Sequence, residues 1–276
     1  MAEHGTVFFM YHELGLPNRA PCHPEPGYTR YVVSASDFRE HMEDLAHEGW
    51  RATNVTQAMQ SLNEEIIPGK SIDGKSVCLT FDDGCETDLI CAAPILQELG
   101  FNATFYITIG FLGKPGYLSE PQVRSLSKLG FEIGCHSITH PYLTDIDDLL
   151  LRDETAGAKD RLEQMTGASV EHFSCPGGRW DRRVIAAVKA AGFRTMATSR
   201  TGLNFAVTDP FRLTRVAVLS GTGVEVFRRE CRGQGLLRTQ FKEKLRETAK
   251  YVLGSSKYDY LRSLILGREE SARPLH

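Results

Sequence analysis

Short apolar runs alternate with amphipathic segments along most of the chain. The runs fall at 6–11, 76–81, 103–107, 131–135, 172–175, 194–198 and 213–218. Each is too short for a helix and apolar on both alternating sets of positions, the pattern of a strand covered on both faces. Between the runs, apolar residues recur at helical spacing. Phe38, Met42, Leu45 and Ala46 share one face; so do Leu89, Ala92, Ala93, Leu96 and Leu99; so do Val184, Ile185 and Val188. Helical patterns end at Gly49-Trp50, Gly100-Phe101, Gly130-Phe131 and Gly192-Phe193, where Gly supplies a left-handed cap and the aromatic leads into the next strand. Ser119 before Glu-Pro, and Asp181, mark helix N-termini. Seven strands alternating with helices predict an α/β fold with a parallel sheet, closed into a barrel rather than left open. No glycine-rich phosphate fingerprint follows the first strand.

Two stretches break the rhythm. Residues 13–35 carry Pro17, Pro21, Pro24 and Pro26 and read as a long irregular loop. Residues 225–276 read as a polar helical extension packed on a barrel domain of residues 1–224. That extension holds twelve Lys/Arg against seven Asp/Glu, while the whole chain of 276 residues has net charge −3. The surplus suits either a solvated helix or a peripheral contact with an anionic membrane surface or phosphate-bearing carrier. Overall acidity gives no reason to expect nucleic acid as a partner. No run approaches the roughly 18 apolar residues of a membrane span, and the first residues show no export signal. Seven cysteines without a C-x-x-C spacing fit free thiols in a cytoplasmic protein.

Three strand ends carry chemistry. "SVCLTFDDG" ends in Asp82-Asp83-Gly84. Two adjacent carboxylates at the end of an apolar strand repel in a place poor in water, unless one ligates a cation and the other accepts a proton; a polar Asp-Gly turn is the alternative. "FEIGC" runs into His136 and His140, spaced to bring two imidazoles onto one turn, with Pro141 excluding a long helix. One Asp and two His leave coordination positions open, as a catalytic site requires. "HFSC" runs into Pro176-Gly177-Gly178-Arg179, a turn that brings backbone close to a ligand or merely leads into the helix capped by Asp181. In a βα barrel all such ends share one face.

Together these stretches resemble the polysaccharide deacetylase family, the NodB-homology or family 4 carbohydrate esterases. "TFDDG" at 80–84 and "HSITH" at 136–140 match the first two family motifs, and "SCPGG" at 174–178 occupies the third with Ser174 in place of Arg. The resemblance, over roughly residues 5–220, implies a distorted (β/α)7 barrel. It also implies Asp82 as catalytic base, and Asp83, His136 and His140 as ligands of a divalent metal, Zn²⁺ foremost, with Co²⁺, Ni²⁺ or Fe²⁺ suited to the same set. Arg179 is the expected replacement for the motif Arg, and an N–H near Gly177 the expected oxyanion donor. The family's late general-acid His is missing from "LTRVAVLSG". His172 opens its strand at the opposite end, His41 and His47 lie on a helix, His4 precedes the first strand and His23 lies in the proline-rich loop. Deacetylases of exopolysaccharide operons carry a similar early "YH", and that likeness implies His12 as the acid.

The implied reaction is metal-dependent hydrolysis of the acetamido group of an N-acetylated sugar, nucleotide-linked, lipid-linked or oligosaccharide, in surface-glycan or exopolysaccharide biosynthesis. The competing readings are an amidase on a non-sugar N-acyl metabolite and an inactive carbohydrate-binding relative.

Overall fold

The fold is known from a computed structural model that describes residues 5–64, 75–237 and 240. Its strands are β1 (Val7–Tyr11), β2 (Leu14–Gly15), β3 (Val33–Ser34), β4 (Arg51–Thr53), β5 (Ser76–Phe81), β6 (Thr104–Ile107), β7 (Glu132–Cys135), β8 (His172–Ser174), β9 (Thr195–Ala197) and β10 (Val216–Ala217). The main sheet runs β10-β1-β5-β6-β7-β8-β9 with every pairing parallel, and β4 adds to β5. Leu213, just before β10, bridges back to Ala197 of β9. The segment 213–217 thus joins both edges of the sheet, which curls into the distorted (β/α)7 barrel with helices outside.

Local signals build this shape. Gly49, Gly100, Gly130 and Gly192 all take positive φ, and the aromatic after each donates its amide back into the preceding helix. For the helix Ala35–His47, Trp50 N donates to Leu45 O and Gly49 N to Ala46 O, the paired bonds that close a helix end through a left-handed residue. Ser119 and Gln122 form a reciprocal capping box, and the Asp181 side chain accepts from Val184 N.

Strand parity sorts side chains. Phe9 packs on Phe227, and Tyr11 and Phe81 on Phe38, so odd positions of β1 and β5 face the helices. Phe8, Cys78, Tyr106, Ala197 and Leu213 instead meet inside the barrel with Val55, Ala58 and Leu62 of the helix Val55–Glu64. Continuing the alternation sends His12, Asp82, His136 and Ser174 inward, at the C-terminal ends.

Three expectations change. The stretch 13–35 is not wholly irregular: β2 and β3 pair in parallel at its neck, and Pro26–Thr29 is helical. Ala46, expected on a buried face, is exposed, while His41 is buried with Phe38, Met42 and Leu45. His41 bonds the Tyr11 hydroxyl and Thr222 O and stacks on Phe227, a core histidine with its nitrogens used. Of the proposed extension, the helix Val224–Cys231 is part of the first of two compact units, which ends at Gln234, and Phe227 is buried there. Beyond it only Gly235–Leu237 and Gln240 are described, so the rest of the basic extension lies outside the described residues. Among the described residues no helix is long and apolar enough to cross a membrane.

Candidate active site

Asp82 and Asp83 follow β5, and parallel pairing with β1 sets His12 beside Asp82, whose amide donates to Tyr11 O. The two carboxylates lie in different surroundings. Asp82 is clamped by Arg215: Nη1 donates to Oδ1 at 2.7 Å and Nη2 to Oδ2 at 2.8 Å. The remaining donors of Arg215 reach Thr198 O, Thr80 Oγ1 and Ser174 Oγ, so all five N–H groups have partners, and the side chain is fully buried. Ser174 Oγ also donates to Asp82 Oδ2 at 3.2 Å. Burial alone would raise the Asp82 carboxyl, but Arg215 and then His136 outweigh it and hold Asp82 well below the usual carboxylate range.

Asp83 has no such partner. Burial and the neighbouring Asp82 charge push it up to about 7, and its Oδ1 is buried without a hydrogen bond. His136 Nε2 and His140 Nε2 each lie 3.5 Å from that oxygen. His136 Nδ1 sits 2.8 Å from Ser174 O, an acceptor only, so Nδ1 carries the proton and Nε2 presents its lone pair. Burial pulls His136 down to about 3, which keeps it neutral and able to ligate. One donor atom from each of Asp83, His136 and His140 lies within 4.8 Å of the other two, and the set fits a divalent cation.

Backbone strain collects at the same place. Asp83, Ser137 and His140 all have positive φ, unusual away from Gly, and the surrounding bonds enforce it. The main enforcer is Glu154, a carboxylate 1% exposed. It accepts from Ile138 N at 2.7 Å, Thr139 N at 2.9 Å and Thr139 Oγ1 at 2.5 Å. The loop between the two histidines is therefore strapped down from a π-helical turn, Asp153–Gly157.

The other expected residues divide. The His12 ring packs at a tilt against Tyr31, and its Nδ1 is buried without a partner. Burial draws its pKa down to about 4, against the pull of Asp82. Gly177 takes positive φ, and a Cβ there would lie 2.6 Å from the Tyr142 ring, so the turn needs glycine. Arg179 does not replace the motif Arg at Asp82. Its guanidinium lies over Tyr142, 3.8 Å from the ring centroid, and 3.9 Å from Asp145. Arg215, just before β10 and one strand removed from β5 in the sheet, fills that role, and Ser174, being small, joins its bond network. The available signal was an Arg inside the apolar run 213–218. His172 lies at the other barrel end, bonded to Thr56 and Thr195. His23 bonds the Tyr117 hydroxyl within an aromatic group of Tyr28, Phe111 and Tyr117, and Phe111 in turn faces His140.

Comparison with known proteins agrees with this geometry. The polysaccharide deacetylase family model matches residues 69–196. Peptidoglycan-N-acetylglucosamine deacetylase of Bacillus cereus is 31% identical over 164 residues, 59% of this chain and 66% of that protein. Across several curated relatives the chain spans about half to two thirds of their length. Among solved structures, Streptococcus pyogenes deacetylase PplD in complex with acetate superposes with TM-score 0.71 at 20% identity, covering 83% of this chain and 98% of that one. IcaB from Ammonifex degensii gives 0.68 at 22%, covering 82% and 95%. These likenesses establish the shared barrel fold. Over residues 69–196, the stretch that holds the Asp pair, both histidines and the Pro-Gly-Gly turn, the chain is similar to the polysaccharide deacetylase family.

Proposed function

We propose that the chain is a metal-dependent N-deacetylase that hydrolyses the acetamido group of an N-acetylated sugar to acetate and an amino sugar. One observation carries the reading: an ionised, Arg-clamped Asp82 stands beside three convergent donors, buried Asp83 and His136 and half-buried His140.

A divalent cation on those three residues, zinc by their chemistry, supplies Lewis acidity that polarises the acetyl carbonyl and acidifies a water. Asp82 accepts the proton of the attacking water. A carboxylate offers about four acceptor positions; Arg215 and Ser174 use three, so one remains for that proton. An N–H near Gly177 is the donor for negative charge growing on the acetyl oxygen. His12 is neutral in the free protein, and its unbonded Nδ1 gains proton affinity as that charge develops. The proton that Asp82 takes from the water passes to His12 and from it to the sugar nitrogen, without which an amine is a poor leaving group. Tyr142, with Arg179 lying over it, lines the turn at Gly177 and offers a face for a sugar ring.

The reading extends to a cytoplasmic enzyme of surface-glycan or exopolysaccharide assembly. Its substrate is a nucleotide-linked or lipid-linked precursor, with the basic extension at the membrane surface. Acetate release from nucleotide-linked, lipid-linked and polymeric N-acetyl sugars and from small N-acyl metabolites, before and after chelation, tests both levels. Chelator-sensitive release from a linked precursor is expected. Release only from finished polymer removes the cytoplasmic context, and release only from non-sugar amides makes the chain an amidase. No release after zinc or cobalt addition makes it a binding protein. Asp82→Asn is expected to keep metal and lose turnover. His12→Ala is expected to keep metal and lose roughly 10²–10⁴-fold.

A further inference from the structure

A second cluster of metal-binding donors lies outside the Asp82–Asp83 pair. Glu13 follows His12 at the end of β1, Cys22 lies on the excursion between β2 and β3, and Cys85 follows the Asp82-Asp83-Gly84 turn. One carboxylate oxygen and the two sulfurs all lie within 4.8 Å of one another. Glu13 is 1% exposed and Cys85 fully buried.

The two sulfurs are 3.7 Å apart. Thiolates bound at about 2.3 Å to one tetrahedral zinc stand about 3.8 Å apart. The pair therefore already has the spacing of two ligands on one cation, and far exceeds the roughly 2 Å of a disulfide. Neighbouring groups hold the donors in place: Cys22 N donates to Glu13 Oε2 at 2.8 Å, and the Tyr28 hydroxyl lies 3.3 Å from Cys85 Sγ. The Cys22 thiol lies 3.1 Å from Gly116 O, and Gly116, at positive φ, has no room for a Cβ beside that sulfur.

A separate observation points to a missing positive charge. Asp88 is fully buried, and neither of its carboxylate oxygens has a hydrogen-bond partner. Burial pushes it far up, and the charge of Asp83, then those of Cys22 and Glu13, add to the push. A buried carboxyl without donors is costly. A cation at Glu13, Cys22 and Cys85 would offset that cost.

We propose that Glu13, Cys22 and Cys85 form a second, structural site for a thiophilic divalent cation of the zinc class. Two thiolates and one carboxylate select such an ion over magnesium or calcium. On binding, each thiol releases its proton to solvent, two metal–sulfur bonds and one metal–oxygen bond form, and no electrons move. The site would tie the excursion to the turn that carries Asp83.

Cobalt titration of the reduced, metal-stripped full chain tests this, with the bound metal counted after dialysis and the thiolate-to-cobalt charge-transfer band recorded. The expected result is two equivalents per chain, one of which produces the band. Cys22→Ser, at a partly exposed position, and Cys85→Ser should each remove the band and one equivalent. Glu13→Gln, which leaves both thiols in place, should weaken the banded site while keeping the fold. Asp83→Ala should remove the other equivalent and keep the band, so failure of this site and failure of the proposed catalytic centre are told apart. A wild-type chain without the band, or a band that survives both serine variants, overturns the proposal. So does a Cys22–Cys85 disulfide in chain isolated without reductant that binds only one metal.

Discussion

Asp82 and Asp83 are chemically identical neighbours, and their surroundings give them opposite roles. Arg215 holds Asp82 ionised, whereas Asp83 is left with burial and a like charge, which a cation at the proposed site would offset. Removing Arg215 therefore does more than cut a bond. Arg215→Met would leave the Asp82 carboxylate buried without its partner, a loss of about 3–5 kcal/mol. Urea unfolding should register it, and acetate release should fall with it. Arg179→Ala, which removes the contacts with Tyr142 and Asp145, should cost about 1 kcal/mol or less, leaving Asp82 clamped. Equal losses for the two variants would mean that Arg215 is not what sustains Asp82.

At the scale of single elements, the loop between the two histidines shows how a local conflict is contained. Ser137 and His140 sit at positive φ, and the Glu154 strap offsets that strain with three hydrogen bonds. Glu154→Gln loses the charge and one strong acceptor while keeping the shape. It is expected to lower metal affinity about 10–100-fold, the range for groups that orient ligands; a competition titration against a chromophoric chelator measures it. An unchanged affinity together with lowered stability would make Glu154 a support of the fold alone. The strands, the glycine-capped helix ends and the Asp and His motifs were legible from sequence because each is written in contiguous residues with a period or a cap. Glu154 and Arg215 were not. Glu154 reads as one more charge on a helix, and Arg215 meets Asp82 across 133 positions of sequence. The β2–β3 neck was hidden for the same reason, since two-residue strands carry no period.

Across the whole molecule, strand parity turns the barrel interior into layers. The layer that holds the candidate site sits at the C-terminal ends. Below it Phe8, Cys78, Tyr106, Ala197 and Leu213 fill an apolar middle, where Gly134 lets the Tyr106 ring cross: a Cβ on Gly134 would lie 2.4 Å from that ring. Gly134→Ala should therefore cost about 1–3 kcal/mol by overpacking, seen as a lower Tm, and should disturb Arg215, which lies over the same ring. The N-terminal layer is polar again. Glu132 accepts from Val55 N and Thr104 Oγ1 and lies 3.5 Å from His172 Nε2, so one carboxylate caps the helix Val55–Glu64 and ties it to the barrel mouth. Burial would raise its pKa, but His172, Thr104 and Thr56 together hold it below the usual carboxylate value. A carboxyl depressed in the folded state stabilises above its unfolded pKa and loses that contribution as pH falls through its folded one. Glu132→Gln should thus be about 1–3 kcal/mol less stable than the parent at pH 7. The gap should narrow as pH drops below about 4.5. Parallel urea melts across that range test it, and a gap that stays constant into acid would show that the charge on Glu132 does not hold this end of the barrel together.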